Sequence, residues 1–170
     1  MVDDTGNLAT PFATGSGHFN PIRAAKPGLV YDASYMDYLI YICRFARTNK
    51  LNITYNCPKS LPEDFELNYP SIQIHRLNYS ATIKRTVTNV GRSRSIYKFS
   101  AFSPKEFSIR ATPDILKFDH VGQKRNFIIT VTANLGQIAP NHGPDDYYFG
   151  WYAWTRKHSV VRSPVAVSFM

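Results

Sequence analysis

Hydrophobic and polar positions alternate through most of the chain beyond residue 70. The clearest case is Ala81-Thr82-Ile83-Lys84-Arg85-Thr86-Val87-Thr88-Asn89-Val90-Gly91, where Ala81, Ile83 and Val87 recur at period two. Thr82, Lys84, Thr86 and Thr88 fall between them, which is the pattern of a strand with one face on a core and one in water. Arg85 interrupts the apolar face, so it either lies near an edge or pairs with a carboxylate. Asn89 and Gly91 supply residues that tolerate positive φ where the chain reverses. The same alternation predicts strands over 71–75, 81–89, 96–102, 107–111, 115–118, 126–133, 147–155 and 160–168. Phe127, Ile129 and Val131 form one inner row, and Tyr97, Phe99 and Ala101 another. Short strands separated by Gly, Pro and Asn turns, with no helical period among them, predict a mainly β fold, a two-sheet β-sandwich. The longest irregular stretch inside it is 134–146.

The first third reads differently. Gly6, Pro11, Gly15, Gly17, Pro21, Pro27 and Gly28 are spaced too closely for long regular elements, so 1–28 is expected to be coil lying on something larger. Tyr35, Met36, Leu39, Ile40, Ile42 and Cys43 then recur at three and four, predicting a helix over 34–46. Ser34 caps its start with Asp37 three residues on, and Arg44 and Arg47 suit its C-terminal end. Its aromatic and methionine face suits packing against a partner surface better than a cofactor role.

At 170 residues, with 44% hydrophobic and 14% aromatic, the chain has material for one ordinary domain and an appendage. The net charge of +8 raises the question of acidic partners. Its cations lie in small scattered groups, Arg92 with Arg94 or Arg156 with Lys157, which fits solvated surface charge and not nucleic-acid binding. Cys43 and Cys57 are the only cysteines, without zinc-ligand spacing, and read as one disulfide pinning the 51–64 loop to the helix. Two sequons, at Asn52 and Asn78, agree with an oxidising, glycosylating compartment. The first twenty residues hold no charged region followed by an apolar run, and no stretch approaches a membrane span of about 20 apolar residues. Secreted character without a signal peptide leads us to expect a fragment.

Catalytic chemistry is hard to assemble from these residues. His18, His75, His120, His142 and His158 are available, yet none sits in a context that announces a base, and no Gly-x-Ser-x-Gly elbow occurs. Gly15-Ser16-Gly17-His18 lacks an orienting acid nearby. The pairs Asp3-Asp4, Glu63-Asp64 and Asp145-Asp146 read as solvated loop carboxylates, and no phosphate-cradling or metal-binding motif suggests a cofactor. The expectation is a binding or structural module, with no catalytic residue and no metal.

Several ordered motifs carry a family resemblance. Ala13-Thr14-Gly15-Ser16-Gly17-His18-Phe19-Asn20-Pro21, Ala24-Ala25-Lys26-Pro27-Gly28-Leu29-Val30-Tyr31-Asp32 and Asp37-Tyr38-Leu39 resemble the end of the catalytic domain of plant subtilisin-like serine proteases. Leu67-Asn68-Tyr69-Pro70-Ser71-Ile72, Arg85-Thr86-Val87-Thr88-Asn89-Val90-Gly91, Tyr148-Phe149-Gly150 and Val161-Arg162-Ser163-Pro164-Val165 resemble the fibronectin type III-like domain that closes them. The resemblance implies a catalytic-domain remnant over 1–60 and a fibronectin type III-like sandwich over 61–170. It also implies the Cys43–Cys57 disulfide, an extracellular or cell-wall location, and a partner in the catalytic domain itself. It carries over no catalytic residue, because the family's Gly-Thr-Ser-Met nucleophile motif is absent here. The expected role is to stabilise the catalytic domain and help frame substrate access. The alternative is a free-standing module that binds another protein or an acidic cell-wall polysaccharide.

Overall fold

The structure, a computed structural model, describes residues 2, 6, 9–45, 55–157 and 159–170. Its strands are β1 (Leu29–Tyr31), β2 (Ile72–Leu77), β3 (Ser80–Asn89), β4 (Ser95–Phe102), β5 (Phe107–Thr112), β6 (Ile115–Phe118), β7 (Lys124–Ala133), β8 (Tyr148–Arg156) and β9 (Ser159–Phe169). Three helices precede β2: α1 (Pro11–Thr14), α2 (Pro21–Ala24) and α3 (Tyr35–Phe45). All eight predicted strands are present, with ends displaced by about two residues at most.

The strands form two sheets, β1-β3-β7-β5 and β2-β9-β8-β4-β6. Every pairing is antiparallel except β2 with β9, where Ile72 faces Val165 and Ile74 faces Val167. Period two sends Ile83, Val87, Phe127, Ile129 and Val131 from one sheet and Ile72, Ile74, Tyr152, Trp154, Val165 and Val167 from the other into one buried layer. This is the mainly β sandwich that the alternation predicts. Each such side chain contributes about 1.5–3 kcal/mol when fully buried, so the layer between the sheets dominates stability.

Three local expectations are corrected. Tyr97 is buried and Phe99 packs partly against the core, but Ala101 is exposed. Strand β6 pairs only with Ser95 to Lys98 of β4, and beyond Phe99, whose N–H donates to Asp114 O at 2.8 Å, β4 has no strand neighbour on that side. Asn89 and Gly91 do not reverse the chain through positive φ; Arg94 takes that conformation, at φ 51°. Gly91 instead permits close approach, since a Cβ there would lie 3.2 Å from the Tyr97 hydroxyl and 3.4 Å from the Cα of Gly28. Finally, β1 joins the sheet edge beside β3, with Leu29 opposite Asn89 and Tyr31 opposite Val87. It lies in the first stretch by sequence and in the sandwich by space, with Leu29 fully in the core.

Helix α3 begins as its sequence demands. The Ser34 N–H and Oγ–H both donate to Asp37 Oδ2, each at 2.7 Å, and the Asp37 N–H donates back to Ser34 Oγ at 3.2 Å. Cys43 is bonded to Cys57, with Cα atoms 5.7 Å apart. Near the same end Arg44 donates to Pro62 O at 2.8 Å and Glu63 Oε2 at 2.7 Å, and pairs with Asp64. The bridge and this arginine together hold the returning chain against the helix. Asn78 is exposed in the β2–β3 turn, whereas Asn52 and Arg47 lie outside the described residues.

Candidate functional site

Arg85 lies on the stretch of β3 that pairs with β7 alone, because β1 reaches only Val87 to Asn89, so the edge expectation holds in part. Glu66 acts on it electrostatically, but no ion pair joins Arg85 to a carboxylate among the described residues. Its side chain occupies the inward row between Ile83 and Val87, only 2% exposed. Its Nη2 donates to Phe65 O at 2.8 Å and its Nη1 to Lys84 O at 3.1 Å, so backbone carbonyls satisfy much of the guanidinium. Burial lowers its pKa from the usual arginine value, and the Tyr152 and Tyr31 hydroxyls oppose that shift. Tyr31 OH lies 3.1 Å from Tyr152 OH and 3.4 Å from Ser163 Oγ, and Tyr152 OH donates to Pro70 O at 3.3 Å. Enclosure raises the Tyr31 pKa well above that of a free phenol, with Tyr152 adding to it. This polar knot ties β1, the turn before β2, β3, β8 and β9 together through the core.

Strand β1 is too short to cover all of β3, and a side chain completes the edge. Asn68 Oδ1 accepts from Thr86 N–H at 2.9 Å while its Nδ2 donates to Thr86 O at 2.9 Å and Asp32 O at 3.0 Å, as a neighbouring strand would. Asn89, fully buried, donates to Arg92 O and His120 O at 3.0 and 3.1 Å and accepts from Gly91 N–H at 3.2 Å. It thereby fastens two turns to the end of β3.

Asp32 follows β1 and sets a pH dependence. Thr88 Oγ1 donates to its Oδ2 at 2.5 Å and Lys124 Nζ lies 3.3 Å away, which together hold its carboxyl below the usual range. A carboxylate held down stabilises the fold above its unfolded pKa of about 4 and loses that contribution as pH falls through the folded value. Asp32→Asn is therefore expected to flatten the acid side of a stability–pH curve below about pH 4. At neutral pH the loss is about 1 kcal/mol or less, because the pair is solvent-screened. Urea unfolding across pH checks both.

Among the described residues the predicted chemistry-bearing groups do not converge. His18 and His120 are exposed, His142 Nδ1 bonds Ala139 O in its own turn at 3.0 Å, and His158 lies outside the described residues. His75 Nδ1 meets Tyr147 OH at 3.0 Å and buried Ser168 Oγ at 3.2 Å, but the described residues give that pair no carboxylate partner. Ser16 is exposed in a turn. Glu63 and Asp64 pair with Arg44, Asp146 Oδ2 accepts from Gly143 N–H at 2.6 Å, and Asp3-Asp4 lies outside the described residues. Among the described residues no three His, Cys, Asp or Glu side chains are grouped to hold a metal.

Two surfaces stand out instead. Phe12, Phe19, Ile22, Tyr35 and Met36 are exposed along 12–36, and only Phe12 has ring partners, edge-on to Tyr147 at 5.0 Å and Phe149 at 5.3 Å. Beyond them, 16–28 and the β8–β9 hairpin enclose a groove of about 990 Å³ whose lining carries six Arg and Lys side chains and no Asp or Glu. Sequence reasoning missed it because its cations come from four separate segments.

The described strands form a two-sheet β-sandwich, an architecture shared by many unrelated domains. Residues 66–167 match the family model of the fibronectin type-III domain, and the chain belongs to that family. It is also similar over nearly its whole length to plant proteases. It is 49% identical over 170 residues to Subtilisin-like protease SBT5.6 of Arabidopsis thaliana, covering 99% of this chain and 21% of that protein. Subtilisin-like protease SBT5.5 of the same plant is 47% identical over 173 residues, covering 100% and 21%. Subtilisin-like protease Glyma18g48580 of Glycine max is 40% identical over 167 residues, covering 94% and 20%. The resemblance to plant subtilases therefore holds, and the chain spans about a fifth of the length of these relatives. No helix among the described residues is long and apolar enough to cross a membrane.

Proposed function

We propose that this chain is a non-catalytic portion of a secreted subtilisin-like serine endopeptidase, which stabilises the catalytic domain and helps frame substrate access. In this reading 1–60 closes the catalytic domain and 61–170 is the accessory sandwich, with Asn52 and Asn78 glycosylated outside the cell. The observation that carries it is the unpaired apolar surface of Phe19, Ile22, Tyr35 and Met36, on a chain covering 21% of a protease relative. Exposed apolar side chains clustered on one segment mark a surface that is covered in the working assembly. The Cys43–Cys57 disulfide agrees with an oxidising compartment.

Co-expression with a subtilisin-like relative lacking its matching fifth tests the reading. The two pieces are expected to co-purify, and the truncated protease to regain secretion and peptidase activity. Tyr35→Asp with Met36→Asp should abolish capture without unfolding the sandwich, since both side chains point to solvent. Capture that survives both substitutions overturns the surface. A truncated protease that is stable and active without this chain overturns the role. The chain alone should resist labelling by a fluorophosphonate, and reaction at Ser16 or Ser168 would count against it.

A further inference from the structure

The basic groove has a composition that the accessory role does not use. Arg23, Lys26, Arg92, Arg156, Lys157 and Arg162 line it, with no carboxylate among the lining residues. None of the six forms an ion pair among the described residues, where the salt bridges belong to Arg44, Lys124 and Arg125. Six like charges around one cleft repel one another, and the arrangement is relieved when a multiply charged anion enters. The groove also holds neutral donors. The Tyr97 hydroxyl lines it beside the Arg156 guanidinium. Ser16 and Ser159 add further hydroxyls.

One of the lining cations also packs on an aromatic ring outside the groove. The Arg162 guanidinium carbon lies 4.8 Å from the centre of the Trp151 ring, and Trp151 stacks on exposed Phe102 at 6.3 Å with an angle of 23° between planes. Guanidinium groups grip carboxylates with two parallel hydrogen bonds, and the hydroxyls of Ser16, Tyr97 and Ser159 and the amide of Asn20 match sugar hydroxyls. An acidic peptide would answer the charge but has no particular use for these hydroxyls.

We propose that this groove binds a linear polysaccharide bearing uronate carboxylates, seated between the 16–28 segment and the β8–β9 hairpin. The inference does not depend on docking to a catalytic domain. It is tested on the folded 1–170 chain by calorimetric titration with an oligogalacturonate about ten sugars long, at salt from about 50 to about 300 mM. Saturable binding that weakens steeply with salt is expected. Arg92→Gln with Arg156→Gln should weaken it about tenfold, since both guanidiniums line the groove. Lys84→Gln with Arg110→Gln removes the same charge from exposed positions on the other sheet and should change affinity less than about twofold. Thermal unfolding of both pairs confirms that the fold is intact. Equal loss from the two pairs would reduce the effect to net charge and overturn the site. So would absence of saturable binding at low salt, or equally tight binding of a polyglutamate peptide of matched charge.

Discussion

Replacing Arg85 with alanine is expected to cost about 3–5 kcal/mol, among the largest effects of any single change in the chain. The substitution removes one of the largest fully buried side chains and strips the donors from Phe65 O and Lys84 O. Both effects act together, because the cavity opens among Ile83, Val87 and the paired Phe127. Arg85→Met separates them. It restores much of the apolar volume and leaves only the carbonyls unpaired, so the cost should fall to about 1–3 kcal/mol. Arg85 Nε is itself enclosed without a partner, a penalty that methionine removes, which pulls the second figure toward its lower end. Urea unfolding of the three proteins measures both differences. A loss below about 1 kcal/mol for Arg85→Ala would show that the polar knot is not structural.

Asn89 should also be costly. Asn89→Ala strips the donor from His120 O, while Arg92 O keeps the buried Ser95 hydroxyl and the Gly91 N–H keeps Gly28 O, so the loss is about 1–3 kcal/mol. Asn89→Asp is the sharper experiment, because it keeps the shape and the acceptor toward Gly91 but turns a carboxylate oxygen toward two carbonyls. Burial and those carbonyls both disfavour the charged form, so the carboxyl's folded pKa rises above its unfolded value. The substituted protein is then most stable at low pH, where the carboxyl is protonated and one oxygen donates, and it loses stability as pH rises through the raised value. The native chain lacks that trend at this position. Unfolding midpoints from about pH 4 to about pH 8 will show it, and a pH-independent Asn89→Asp would mean that the turns do not rely on this amide.

These two residues also show where periodicity informs and where it fails. Ala81, Ile83 and Val87 announced β3 because alternation is local, and Ser34 with Asp37 announced the start of α3 because a cap is local too. The same pattern located Arg85 on the apolar face but could not say what it met there, since Phe65 O arrives from 20 residues upstream and Tyr152 from another strand. Asn89 looked like a turn residue by type and is a hydrogen-bond hub by position. Strand β1 escaped notice because three residues after Gly28 are too few to alternate; its partner strand defines it. The groove was invisible for a related reason, as Arg23, Arg92 and Arg156 become neighbours only once the sandwich has closed. Ala101 kept the right phase yet lies exposed, since phase alone does not show where along a strand burial ends.

Strand β1 gives the joint between the N-terminal segment and the sandwich a directional strength. Tension applied along its axis from Gly28 loads the Leu29–Asn89, Val30–Thr88 and Tyr31–Val87 pairings together, in shear. Tension across the sheet edge peels them one at a time. In peeling, the pull arriving from residue 28 meets Leu29 first and the Tyr31 hydroxyl, bonded beside Tyr152 and Ser163, last. The joint is therefore expected to resist a pull along β1 better than one that peels it from the sheet edge.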